Sequence, residues 1–97
     1  MADDFRARVE AVVAALRPGE IVSYGDVAAQ AGFPGAARAV GAIMANPQPG
    51  RPLPWWRVVT ATGRLVPGHE AEHARRLRAE GIQLVGGRVA RPGRMRP

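Results

Sequence analysis

The sequence predicts one small domain, mainly α with short β-hairpins, built as a winged helix-turn-helix. Three observations predict it. Apolar residues recur at helical spacing from Phe5 to Leu16, two short helical stretches are joined by Gly32-Phe33-Pro34, and apolar runs in the second half are separated by glycine. With 97 residues, 46% of them hydrophobic, the chain can fill one modest core and is too short for two. The expected domain spans residues 1–97, with one core, one site and a flexible basic tail at 91–97.

Phe5, Val9, Val12, Val13 and Leu16 share one face of a first helix, which Asp3 or Asp4 can cap and Arg17-Pro18-Gly19 ends. Ser23-Tyr24-Gly25-Asp26 has the spacing of a capping box, so Ser23 opens a second helix through Val27, Ala28 and Ala31, and Gly32 stops it. Tyr24 then stands at a helix N-terminus. A third helix is expected from about Gly35 to Met44, with Ala37, Val40, Ile43 and Met44 inward and Asn46-Pro47 as its break. Residues 46–52 form a turn-rich, proline-bound loop. Val58-Val59-Thr60 and Arg64-Leu65-Val66 flank Ala61-Thr62-Gly63 as a hairpin or wing. A fourth helix covers about Glu70 to Glu80, with Ala74 and Leu77 inward, Arg75, Arg76 and Arg78 outward, and Gly81 as its stop. Residues 82–85 and 88–90 make a second hairpin about Gly86-Gly87.

The stretch least expected from composition is Pro54-Trp55-Trp56-Arg57-Val58-Val59, which holds both tryptophans side by side. Proline fixes its own φ and biases the residue before it towards extended backbone, so the indoles are presented in a set direction. Adjacent residues on an extended segment point to opposite faces, so both are core only if the segment is covered on both sides. One of the two is expected to line a pocket, the plainer reading being a pair of ordinary core aromatics.

The formal charge is +6, and all fourteen basic residues are arginine. Such a balance favours a polyanionic partner, the bland alternative being a solvated basic surface. The absence of cysteine excludes disulfides, thiolate metal sites and a cysteine nucleophile together. His69 and His73 lack companions at a recognised ligand spacing, so no metal or cofactor is expected. There is no signal peptide and no apolar run long enough to span a bilayer, which leads to the expectation of a soluble, cytoplasmic monomer without a membrane partner.

The third helix narrows the choice among polyanions. Its face opposite Val40 and Met44 holds Gly35, Arg38, Ala39 and Ala42, very small residues around one arginine. A helix that reads an operator in the major groove needs several long polar side chains aimed at base edges, and this one offers only Arg38. Small residues suit close approach to a minor groove, or insertion of Arg38 where a nucleotide has been displaced. In isolation the same residues also read as good helix formers around a solvated charge.

Ser23-Tyr24-Gly25, Ala36-Ala37-Arg38-Ala39-Val40-Gly41, Asn46-Pro47, the Pro54 stretch, Gly63 and Glu80-Gly81 together resemble the DNA-binding domain of the O6-alkylguanine-DNA alkyltransferases. The resemblance covers nearly the whole chain and implies the alkyltransferase C-terminal type of fold. In those enzymes the proline motif reads Pro-Cys-His-Arg-Val, with the cysteine as alkyl acceptor and the histidine as its base through water. Trp55 stands at the cysteine position and Trp56 at the histidine position, as in the alkyltransferase-like proteins, which keep the scaffold and remove no alkyl group.

The resemblance implies that Arg38 takes the place of the extruded nucleotide and that Tyr24 rotates the 3′ phosphate. It places Trp55 beneath the alkyl group, makes Asn46 the hinge after the recognition helix, and makes Glu80 the acid that orients the histidine in the enzymes. With Trp56 in place of histidine, Glu80 is expected to lose that partner and to pair with Arg57. The expected DNA- and lesion-binding set is Tyr24, Arg38, Trp55, Trp56, Ser23, Gly35, Ala36, Ala39, Asn46 and Val59. The enzymes carry a lid tyrosine about where Val66-Pro67-Gly68-His69 falls, with His69 the candidate substitute. The second indole, Trp56, either narrows the pocket or stacks on the flipped base.

Chemistry agrees with this demotion, because alkyl transfer needs a soft, activated nucleophile and a tryptophan is not one. Ser23 reads as a cap rather than a nucleophile. The expected protein is therefore no enzyme. It binds duplex DNA containing O6-alkylguanine and directs it to nucleotide excision repair proteins, the alternative being a small winged-helix transcription regulator.

Overall fold

A computed structural model describes residues 2–46, 50 and 52–90. The first helix, α1 (Ala2–Ala14), turns Val9 and Val13 inward, and Leu16 follows them into the core just beyond its end. It begins at Ala2, ahead of both expected cap positions, and Asp4 within it pairs with Arg8 at 3.4 Å one turn on. Phe5 meets Phe33 edge to face at 5.0 Å, which fixes α1 against the turn after the second helix.

That helix, α2 (Tyr24–Gln30), has both halves of the expected capping box. The Asp26 N–H donates to Ser23 Oγ at 3.0 Å, and the Ser23 N–H donates to the Asp26 carboxylate at 3.1 Å. Its end is a glycine stop: Gly32, at φ +95°, lets the Phe33 N–H reach Ala28 O at 2.9 Å and its own N–H reach Ala29 O at 3.0 Å. Helix α3 (Ala37–Ala45) starts two residues later than the spacing suggested. Gly35 sits at φ +90°, a left-handed conformation outside any helix, so it belongs to the turn before α3 and not to its face. The pair α2 and α3 is the expected helix-turn-helix. The prolines of the following loop at 47 and 49, and the tail at 91–97, lie outside the described residues.

Two features of the second half differ from expectation. Val58-Val59 does not pair with residues 64–66 as a hairpin. It forms β2 (Val58–Val59), a parallel partner of β1 (Val22–Ser23) in the register Val22 to Val58 and Ser23 to Val59. Thr60 to Arg64 is a tight turn, and Arg64 bridges to Arg88 instead. A parallel pair from distant segments leaves no local signal, whereas glycine-flanked apolar runs mimic a hairpin. The helix α4 (Glu70–Ala79) and the hairpin of β3 (Leu84–Val85) with β4 (Arg88–Val89) follow as expected.

The core also departs from a single cluster. Successive residues of β1 and β2 point to opposite faces. Val22 and Val58 therefore join Val9, Val13, Val27, Val40 and Ile43, while Ile21 and Val59 join Leu65, Ala74, Leu77 and Val89. The short parallel ladder is the wall between two lobes, one carrying the helix-turn-helix and one carrying α4 and the hairpin.

Gly63 is where the second lobe is tightest. It has φ +85°, its N–H and C=O bond Thr60 O and the Val89 N–H, and an added Cβ would collide with the Val89 carbonyl oxygen. Gly68 has the same φ with open space around it. Gly68→Ala is expected to cost roughly 1–2 kcal/mol, the left-handed penalty alone, and Gly63→Ala clearly more, as read from urea unfolding midpoints.

Candidate nucleic-acid interface

Pro54 turns the chain rather than extending it. At φ −75° and ψ 67° it forms an inverse γ-turn, with the Trp55 N–H donating to Leu53 O at 2.7 Å. One turn of 3₁₀ helix follows over Trp55–Arg57, closed by Arg57 N–H to Pro54 O at 3.1 Å. The expectation of opposite faces on an extended segment is thereby corrected. The two indoles meet edge to face, with centroids 6.0 Å apart and planes at 87°.

Trp55 lines a cavity of about 530 Å³, together with Tyr24 from α2, Gly41, Met44 and Ala45 from α3, Val66, Pro67 and His69 from the following loop, and Glu72 from α4. His69, the candidate for the lid position, is one of these lining residues. Burial raises the Tyr24 phenol above its ordinary value of 10.0, so it stays a neutral donor at the cavity edge. Trp56 is not part of the lining. Two guanidinium groups contact its ring, that of Arg57 at 5.2 Å from the centroid and that of Arg76 at 4.6 Å.

Trp56 also corrects the expectation that Glu80 loses a partner. Its indole N–H donates to Glu80 Oε2 at 2.7 Å. Glu80 does pair with Arg57, whose Nη2 lies 2.7 Å from the same oxygen and whose Nε reaches both oxygens, the two side chains being only 12% exposed. The Gly19 N–H adds a bond at 2.9 Å, and Arg57 Nη1 donates to Leu16 O at 3.0 Å. Burial pushes the Glu80 carboxyl up, but the bonds from Arg57, Trp56 and Gly19 and the charge of Arg57 outweigh it, holding the group below 4.5.

A residue that spacing did not single out sits behind Trp55. His73 is fully buried; its Nδ1 accepts the Val66 N–H at 3.1 Å, so its proton is on Nε2, which donates to Trp56 O at 2.9 Å. Its ring lies 5.0 Å from that of Trp55. Its place one turn before Leu77 on the inner face of α4 was the available signal.

The remaining predicted residues divide into exposed and interior. Arg38 and Ala39 are exposed on α3, and Arg38 has no hydrogen-bond or ion-pair partner among the described residues. Helical spacing puts Arg38 on the same stripe as Gly41 and Ala45, one turn from the cavity. Gly35 is exposed in the turn, and Ala36 is half-buried against the first lobe. Asn46 ends α3, its Nδ2 donating to Ala42 O at 3.0 Å. Ser23 is buried and its hydroxyl is committed to the cap. Val59 is fully buried in the second lobe.

Among the described residues no three His, Cys, Asp or Glu side chains are grouped to hold a metal ion, and no helix is long and apolar enough to cross a membrane. The family profile described as 6-O-methylguanine DNA methyltransferase, DNA binding domain, matches residues 4–82. The chain is 42% identical over 86 residues to the DNA base-flipping protein of Escherichia coli (strain K12), covering 87% of this chain and 67% of that one. It is 36% identical over 84 residues to the DNA base-flipping protein of Vibrio parahaemolyticus, covering 84% of each. Its fold is similar to that of Schizosaccharomyces pombe Atl1, crystallised with damaged DNA containing O6-carboxymethylguanine. The TM-score is 0.77 at 30% identity, over 86% of this chain and 81% of that one.

The two perturbed groups predict how stability depends on pH. Burial lowers the His73 imidazole below 6.5, partly countered by its bond to the Trp56 carbonyl, so below 6.5 the unfolded chain takes the proton first and stability falls. Glu80, held below 4.5, adds a second loss as pH drops through 4.5 and its lower folded value. Urea titrations from pH 8 to 3 are expected to show both declines. Glu80→Gln is expected to reduce the lower one and to cost roughly 1–3 kcal/mol at neutral pH.

Proposed function

The chain belongs to the family of the 6-O-methylguanine DNA methyltransferase DNA-binding domain, and on that premise we propose that it recognises O6-alkylguanine in duplex DNA without repairing it. One observation carries the reading: a cavity in the size range of ligand sites opens beside the exposed face of α3, and its wall is the indole of Trp55. A tryptophan at this point stacks on a base but takes no alkyl group, and the chain has no cysteine to do so.

The steps follow from where the side chains stand. The exposed Arg38 and Ala39 face of α3 approaches the minor groove, where small residues allow close contact and the exposed arginine is attracted to phosphates and enters the stack. Tyr24, at the N-terminus of α2 and on the cavity edge, presses on the phosphate of the target nucleotide as the base turns out. Unstacking costs a few kcal/mol, less for an O6-alkylated guanine whose pairing is already damaged, and the cavity offsets it through contact with Trp55. Asn46 sets where α3 ends and the approach to Pro54 begins.

Holding a lesion without reversing it has value only if the complex is handed on. The lesion complex, with its duplex bent by the close-fitting helix, is the signal to nucleotide excision repair proteins. The protein acts as a monomer in the bacterial cytoplasm and needs no cofactor.

At one fixed salt concentration the protein is expected to bind an O6-methylguanine duplex about tenfold or more tighter than the matched guanine duplex. Equal affinities would contradict the reading. Arg38→Ala is expected to lower lesion affinity by roughly tenfold. Intact mass after incubation with methylated DNA should show no added methyl. In cells, deletion should sensitise to alkylating agents only where excision repair is intact; equal sensitisation in excision-deficient cells would remove the hand-over.

A further inference from the structure

His73 is the most constrained polar group in the second lobe, and nothing in the proposed binding steps uses it. A fully buried imidazole is costly unless both nitrogens are bonded, and both are. What they bond is informative. Val66, Pro67 and His69 line one side of the cavity, and the His69 N–H donates to Val66 O at 3.0 Å, so these residues form a closed turn. His73 grips both ends of that turn. Its ring accepts the Val66 N–H, and its main-chain N–H donates to His69 O at 2.9 Å.

The other nitrogen reaches the segment that carries Trp55. Nε2 donates to the carbonyl of Trp56, within the 3₁₀ turn that carries Trp55, and the ring edge packs on the Trp55 indole at 5.0 Å. One side chain therefore ties the loop to the turn that carries the indole, two parts of the cavity lining. Leucine would fill the same space with less risk to folding, but it would leave the Val66 N–H and the Trp56 carbonyl without partners.

We propose that His73 is the positioning residue that holds the 66–69 loop and the Trp55 turn at the spacing that admits a single flipped purine. This rests on the lesion-binding reading above. A cavity whose walls drift apart by about an ångström loses stacking on one face of the base, which weakens lesion binding more than contacts to the duplex backbone.

The test compares His73→Leu, which keeps bulk and burial, with His73→Gln, whose amide can still accept from Val66 and donate to Trp56. The readout is the ratio of affinities for O6-methylguanine and unmodified duplexes, measured at a temperature where circular dichroism shows each variant folded. His73→Leu is expected to reduce that ratio about fivefold or more, and His73→Gln to keep it within about twofold of the wild type. A folded His73→Leu protein with the full ratio would overturn the proposal alone. A wild-type protein with no lesion preference would overturn the lesion-binding reading and this proposal with it. Should His73→Leu not fold, amide exchange in the wild type decides: the Val66 amide is expected to be protected, and free exchange would break the link on which the positioning role depends.

Discussion

The carboxylate of Glu80 is the point on which the geometry of the site depends. It receives Arg57, the Trp56 indole and the Gly19 amide, while Arg57 reaches on to the Leu16 carbonyl. The end of α1, the turn that carries the tryptophans and the end of α4 are thereby joined by charge-assisted bonds in a largely dry place. Desolvating an ion pair gives back much of its Coulomb gain, so the pair contributes more to orientation than to stability. Its consequence is directional: with Trp56 held to Glu80 and in contact with the guanidinium groups of Arg57 and Arg76, the adjoining Trp55 has the cavity side of the turn.

Against that fixed wall stands a helix pair whose outer face is small. Exposed alanines on α3 and an arginine without a partner among the described residues give a surface able to come close to a duplex and poor at reading base edges. Close approach and a cavity beside it are two halves of one function, since the energy spent unstacking a base must be returned where the base arrives. In the proposed complex that return comes from the Trp55 indole and from Tyr24, a neutral phenol at the cavity edge.

Much of this was legible in the sequence because it is local. The capping box of Ser23 and Asp26, the glycine stops at Gly32 and Gly81 and the Gly86-Gly87 hairpin all follow from spacing, while the pairing of Glu80 with Arg57, 23 residues apart, came only from the family resemblance. What was illegible is non-local or finely conformational. The parallel ladder of Val22-Ser23 with Val58-Val59 joins segments 36 residues apart in register, and it divides the core into two lobes where length suggested one. The 3₁₀ turn at Trp55 depends on ψ at Pro54, which proline leaves open while fixing φ, so the two indoles meet edge to face instead of pointing apart. His73 escaped notice because a histidine on an inner helical face reads as chance until its two partners, Val66 and Trp56, are brought to it by the fold.

The central claim is that a base leaves the duplex and comes to rest against Trp55, and a crystal structure of the protein with a short duplex carrying O6-methylguanine tests it most directly. The expected result is a guanine seated in the cavity between Trp55 and the 66–69 loop, with Arg38 in the vacated position of the stack. A complex in which the protein is bound and the O6-methylguanine remains stacked within the helix, leaving the cavity without a base, would contradict it.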